Sequence, residues 1–197
     1  MSEDRMICNL IIGLKSEKEN LSKSCSPDSS CAAVLLPIVM KDGNGSLLFT
    51  KRTANVASHQ NEISFPGGSY EPGDASLEET ALRETFEEIG LGKEQIQIIG
   101  QLPVSDTITG FTVFPFVGLI NHPFKLNINR FEVEKVFTIP LEWLANPGNH
   151  YEADYYSEKF GIRKVIHYKD YYGEHLWGYT ARLTQQLLEM KIKKDNG

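Results

Sequence analysis

Phe65-Pro66-Gly67-Gly68 and, after a short polar link, Leu77-Glu78-Glu79-Thr80-Ala81-Leu82-Arg83-Glu84-Thr85-Phe86-Glu87-Glu88-Ile89-Gly90-Leu91 form the stretch from which the rest of the chain can be read. No proline or glycine interrupts Leu77 to Ile89, Gly90 supplies a stop, and Asp74 and Ser76 are both suitable N-caps, so the stretch predicts a turn entering a helix. On that helix Glu84, Glu87 and Glu88 are spaced by three and four residues, which places them on one side, where they repel unless a cation sits between them. Arg83 stands four residues after Glu79 and four before Glu87 and can pair with either, leaving Glu84 and Glu88 as neighbours without a counter-charge close in sequence. A hard, oxygen-seeking cation such as Mg2+ or Mn2+ answers that imbalance. The ordinary reading of a charge run is a solvated helix face. The Gly67-Gly68 pair tips the balance, because glycines let backbone amides and carbonyls approach a metal or a phosphate where a side chain would obstruct them.

With those residues in view, the segment resembles a Nudix box, the matching positions being Gly68, Asp74, Arg83, Glu84, Glu87, Glu88 and Gly90. It departs from the usual box in two places: Asp74 stands for a glutamate, and one extra residue separates it from Arg83. Both departures, and the Ala81-Leu82-Arg83-Glu84-Thr85 run, are similar to the coenzyme A diphosphatase subgroup. Upstream, Leu47-Leu48-Phe49-Thr50-Lys51-Arg52, then His59 and Phe65 to Gly68, resemble that subgroup's second signature; Asn61 stands where a glycine is usual, and asparagine is the next best residue for positive φ. Downstream, Glu132-Val133, Val136-Phe137, Pro140-Leu141 and Leu176-Trp177-Gly178-Tyr179-Thr180-Ala181 resemble it too, so the likeness runs from about Ala32 onward.

The resemblance implies an α+β fold, a Nudix-type α/β/α sandwich with a mixed β-sheet. It also implies metal-dependent hydrolysis of the diphosphate bond of coenzyme A or its derivatives, giving 4′-phosphopantetheine and adenosine 3′,5′-bisphosphate. Hydrolysis of ADP-ribose or nucleoside triphosphates is the alternative, since the metal site is common to all of these. A non-catalytic nucleotide-sensing domain is a third reading, against which three intact, mutually repelling carboxylates argue. Carried onto this chain, Glu84 and Glu88 are the expected ligands of Mg2+ or Mn2+, with the Gly67 carbonyl completing the shell, while Glu87 adds a metal contact or pairs with Arg83. The catalytic set is Arg83, Glu84, Glu87 and Glu132, with the general base open between Glu84 and Glu132. Lys51, Arg52, His59 and Gly68 are the expected substrate-binding residues, Arg52 through its bidentate fork and His59 on the strength of the resemblance. Trp177 and Tyr179 are candidates for stacking on adenine, although for Trp177, at the start of a long apolar helix, core packing is the expectation.

Composition sets the outer bounds. At 197 residues the chain has the size of one domain, divided here into an extension over 1–30, the Nudix domain over 31–192 and a tail over 193–197. The net charge of −6 suits a small-molecule nucleotide partner met by a local basic patch, and not nucleic acid. No apolar run reaches membrane-spanning length, so no membrane partner is expected, and oligomeric state is not legible. The odd trio Cys8, Cys25 and Cys31 does not read as a secreted disulfide framework, Met6 to Leu14 reads poorly as a signal peptide, and Lys194 to Gly197 is no peroxisomal address, so a reducing, cytoplasmic setting is expected.

Outside the box, the first thirty residues predict a short helix and a loop or lid. Ala32 to Met40 and Ser46 to Arg52 predict a hairpin around Asp42-Gly43-Asn44-Gly45. Ile96 to Leu102, Thr112 to Ile120, Glu134 to Ile139 and Arg163 to Tyr168 predict strands, with Val104 to Gly110 as a connection. Pro140 to Leu144 predicts a short helix and Leu176 to Met190 a long final one.

Overall fold

The computed structural model describes residues 10–14, 30–54, 62–107, 110–158 and 161–190. Its organising strand is β1 (Ser30–Lys41), whose side chains alternate between two cores: Ala33, Leu35 and Val39 enter one, Leu36 and Ile38 the other. A strand buried on both faces belongs in the middle of a sheet, and β1 is there. It pairs antiparallel with β2 (Asn44–Arg52) and, over eleven positions, parallel with β7 (Phe111–Asn121). The hairpin turn is shorter than the sequence suggests. Asp42 and Gly43, at φ 51 and 79, make a two-residue loop of the kind that matches strand twist, and Asn44 and Gly45 already lie in β2.

The eight-stranded mixed sheet has β3 (Ile63–Ser64), β2, β1, β7 and β5 (Gln97–Gln101) along its path. The short β4 (Gly67–Ser69) pairs with β1, β6 (Ser105–Asp106) with β7, and β8 (Val133–Pro140) with β2. Helix α1 (Leu77–Ile89) covers one face, burying Ala81 and Ile89 against Ala33, Leu35, Leu48 and Phe114. Helix α3 (Gly178–Glu189) covers the other, with Leu183 and Leu187 against Leu36, Phe49 and Ile139. The expected α/β/α sandwich with a mixed sheet is therefore the fold observed. Leu10 and Leu14, on a helical turn, are fully buried in the α3-side core.

Several elements differ from expectation. The 104–110 connection contains β6. Pro140 caps α2 (Leu141–Ala145) and does not stand inside its first turn, and α3 begins two residues after Leu176, with Trp177 as its N-cap. Strand β9 (His150–Ser157), which has no clear alternation, pairs antiparallel with β10 (Gly161–Tyr168) as a ribbon separate from the main sheet. Cys31 is disulfide-bonded, a departure from the reduced thiols expected of the cysteine count. Among the described residues no helix is long and apolar enough to cross a membrane.

Candidate active site

The site is assembled where the start of α1, its C-terminal half and the ends of β2 and β8 meet. Ser76, not Asp74, is the N-cap of α1: its hydroxyl accepts from the Glu79 amide at 3.1 Å. Asp74 has a different task. Its carboxylate, 7% exposed, accepts from Arg83 Nε at 2.8 Å and Nη2 at 3.1 Å, from Thr80 Oγ1 at 2.8 Å and from the Glu71 amide at 3.1 Å. The Arg83 hydrogen bond, with help from Glu71 and Thr80, outweighs burial and holds the Asp74 pKa at about 2. The rest of the Arg83 fork donates to the Ser69 carbonyl and, through Nη1, to Glu84 Oε1 and Glu87 Oε2, each at 3.1 Å. Arg83 is thus fully engaged inside the box. It does not pair with Glu79, whose carboxylate caps the Ala75 amide, and it does supply Glu84 with the counter-charge that the sequence spacing denied it.

The two glycines are explained by contact. Gly67 lies at φ 154, in β4 against β1, where an added Cβ would run into the backbone of Ala33 and Val34. Its amide is directed to the Glu88 carboxylate. Gly68 faces Glu84: an added Cβ would stand 2.5 Å from Oε1 and 2.6 Å from Oε2. Any side chain at 68 displaces that carboxylate.

Glu88 is the unusual group. It is 3% exposed, and its only counter-charge among the described residues is the Arg52 guanidinium, with Nη1 3.8 Å from Oε1, beyond hydrogen-bond range. Glu88 Oε2 and Arg52 Nε are both buried without a hydrogen-bond partner among the described residues. Burial, opposed by Arg52 and reinforced by the charges of Glu84 and Glu132, pushes the Glu88 pKa up to about 8. Burial also raises the Glu84 carboxyl, against the pull of Arg83. Glu87 is half exposed and hydrogen-bonds to Arg83.

Glu132 reaches this group from a loop whose path is set by the end of α1. The last turn of a helix leaves carbonyls without partners, and here the amides of Asn127 and Asn129 take those of Ile89 and Glu88 at 2.8 and 2.9 Å. The Glu132 amide donates to Asn129 O, and the Glu132 carbonyl accepts from Thr53 at the end of β2. An exposed carboxylate is thereby fixed near Glu84 and Glu88, close enough that its charge raises both.

Of the other expected residues, Arg52 belongs to this site and Lys51 does not face it. Lys51 Nζ pairs with Glu174 Oε2 at 3.2 Å on the opposite side of β2. His59 and Asn61 lie outside the described residues. Trp177 is not core: half-buried, it stacks on His167 of β10 at 5.7 Å with Tyr155 beside it. Tyr179 is also half-buried and hydrogen-bonds to Ser105. Sequence reasoning missed Glu174 and Lys135, which sit in unremarkable polar surroundings; only the cross-strand register brings Lys135 opposite Lys51.

The chemistry available is that of closely spaced carboxylates short of positive charge, framed by a glycine-lined backbone. A model of the NUDIX domain matches residues 32–159. The uncharacterized Nudix hydrolase NudL of Photorhabdus laumondii is 37% identical over 168 residues, covering 85% of this chain and 88% of its own length. That of Citrobacter koseri is 36% identical, covering 79% and 80%. A MutT/nudix family protein from Enterococcus faecalis shares the fold with a TM-score of 0.59 at 15% identity, over 91% of this chain and 68% of its own. The chain belongs to the Nudix family and is a hydrolase of pyrophosphate bonds.

Proposed function

We propose that this enzyme hydrolyses the diphosphate bond of coenzyme A or its derivatives, releasing 4′-phosphopantetheine and adenosine 3′,5′-bisphosphate. The observation that carries the hydrolytic site is the buried Glu88 carboxylate, whose Oε2 has no hydrogen-bond partner among the described residues, beside Glu84 and Glu132. The coenzyme A assignment is supported by the Asp74 variant of the box, its extra residue, and the Lys51-Arg52 and Leu176 to Ala181 signatures.

The family generally uses a divalent metal, and the donor set fits one. Among the described residues no three of the His, Cys, Asp and Glu side chains converge closely enough to enclose an ion. The fit rests instead on hard oxygens, an orphaned buried carboxylate oxygen and a shortage of positive charge. Glu84 and Glu88 would hold Mg2+ or Mn2+; of Gly67, it is the amide that turns to Glu88, and Glu87, turned to Arg83, is an outer residue. When bound, such a cation supplies neutralisation of the charge that builds on non-bridging diphosphate oxygens.

The chain's own residues supply the rest. Arg83, anchored by Asp74, fixes the Glu84 carboxylate against Gly68. Arg52, whose side chain is 26% exposed, offers its guanidinium to the anionic substrate. Glu132, exposed and hydrogen-bonded to Asn129, is better placed than the wedged Glu84 to take the proton of the attacking water. The test is mass-spectrometric product analysis after incubation of the protein and Mg2+ with coenzyme A, ADP-ribose and a nucleoside triphosphate in one mixture. Preferential release of 4′-phosphopantetheine supports the proposal; faster loss of either other substrate discards the specificity and retains the hydrolytic site.

A further inference from the structure

Lys51 and Lys135 are direct cross-strand partners on β2 and β8, an arrangement that sets two like charges against each other. Both turn to one carboxylate. Glu174 Oε2 lies 3.2 Å from Lys51 Nζ, and its Oε1 lies 2.9 Å from Lys135 Nζ. Glu174 is held rigidly, because its amide and carbonyl close on Tyr171 across a two-residue turn, Tyr172-Gly173, with both φ values positive. Its side chain is 9% exposed, whereas those of Lys51 and Lys135 are 23% and 48% exposed, so the cationic part of the cluster is the accessible part. One carboxylate for two ammoniums leaves a local excess of one positive charge on a chain whose net charge is −6. Each ammonium has three N–H groups and gives one to Glu174; the Lys135 ammonium also lies over the Phe137 ring, 5.4 Å from its centre.

The position of this cluster gives it a use. Arg52, the next residue along β2, turns to Glu88 under α1, while Lys51 turns to Glu174, which precedes α3, so the two cations serve opposite sides of the sheet at the same end. Glu132 lies three residues before Lys135. We infer that Lys51 and Lys135, held side by side by Glu174 as a positioning residue, form a second anion subsite that takes a phosphomonoester carried by the substrate away from its scissile diphosphate. Identifying that group with the ribose 3′-phosphate of coenzyme A rests on the proposed function; the subsite itself does not.

The test is calorimetric binding of adenosine 3′,5′-bisphosphate and adenosine 5′-monophosphate, which differ by that one phosphate, to the full chain. The expected result is a preference for the bisphosphate on the order of tenfold, as for loss of a hydrogen bond to a charged group. Lys135→Gln, at a half-exposed position that tolerates change, should reduce the bisphosphate to the level of the monophosphate, and Lys135→Arg should restore the preference. Glu174→Gln should raise KM far more than it lowers kcat, a split that a merely structural role would not produce. Equal binding of the two nucleotides by the unmodified protein, or a preference that survives Lys135→Gln, overturns the subsite. Failure to cleave coenzyme A with the preference intact overturns only the choice of substrate.

Discussion

Asp74 shows how much of the site depends on one buried side chain. Four hydrogen bonds converge on its carboxylate, and they depress its pKa from 3.8 to about 2. A depressed carboxyl contributes stability that is present above its unfolded value and is lost as pH falls through the folded one. Over that span the linkage is worth about 2 kcal/mol. Asp74→Asn should therefore lower the stability measured by urea unfolding at pH 7 by about that amount, and the difference from the unmodified protein should shrink below pH 3. Gly68 makes the complementary point. Gly68→Ala puts a methyl where the Glu84 carboxylate sits, so turnover should fall on the order of a hundredfold, while circular dichroism shows an unaltered fold. The sequence marked Gly68 and Arg83 as important, but it could not tell that Arg83 would be drawn to Asp74 nine residues back, because that pairing depends on the turn between them.

At the scale of the element, α1 is a helix that stores electrostatic cost on its inner face. Its boundaries were legible: a serine cap, an uninterrupted run and a left-handed glycine stop at φ 70. Its charge balance was legible only in part, since local spacing exposed the repulsion among the glutamates but not the reach of Arg83 to Glu84 or of Arg52 to Glu88. Metal-free protein should gain thermal stability on Glu88→Gln at pH 8, by at least about 3 °C, because the change removes a buried carboxyl whose raised pKa opposes folding as pH climbs from 4.5 towards 8. Glu84→Gln should lower turnover by orders of magnitude without loss of melting temperature, read by paired kinetics and differential scanning calorimetry. The resemblance grouped Glu132 with the α1 glutamates, but the docking of its loop on the end of α1 was not legible in the sequence. Its placement follows from backbone amides satisfying helix carbonyls, and amide geometry leaves no residue signature.

Across the whole molecule, the sheet, its two covering helices and Arg163 to Tyr168 of β10 were readable from alternation and helical spacing, whereas β9 and its pairing with β10 were not, because the exposed residues of β9 follow no period. The segment before β1 is also more integral than a lid in its described part. Leu10 and Leu14 are fully buried, and an added Cβ on Gly100 of β5 would strike Leu14. Leu14→Ala should cost about 3 kcal/mol of unfolding free energy, measured by urea titration. The pairing of Lys51 with Lys135 and Glu174 likewise exists only in three dimensions, through strand register and a turn far along the chain. The central claim is that the charge-starved carboxylates of α1 exist to hold a divalent cation. Titration of Mn2+ into the substrate-free protein, followed by electron paramagnetic resonance, tests it directly in the unmodified chain and in Glu88→Gln. We predict saturable binding by the unmodified protein, weakened on the order of tenfold or more by the substitution; equal affinity in the two proteins would contradict the account.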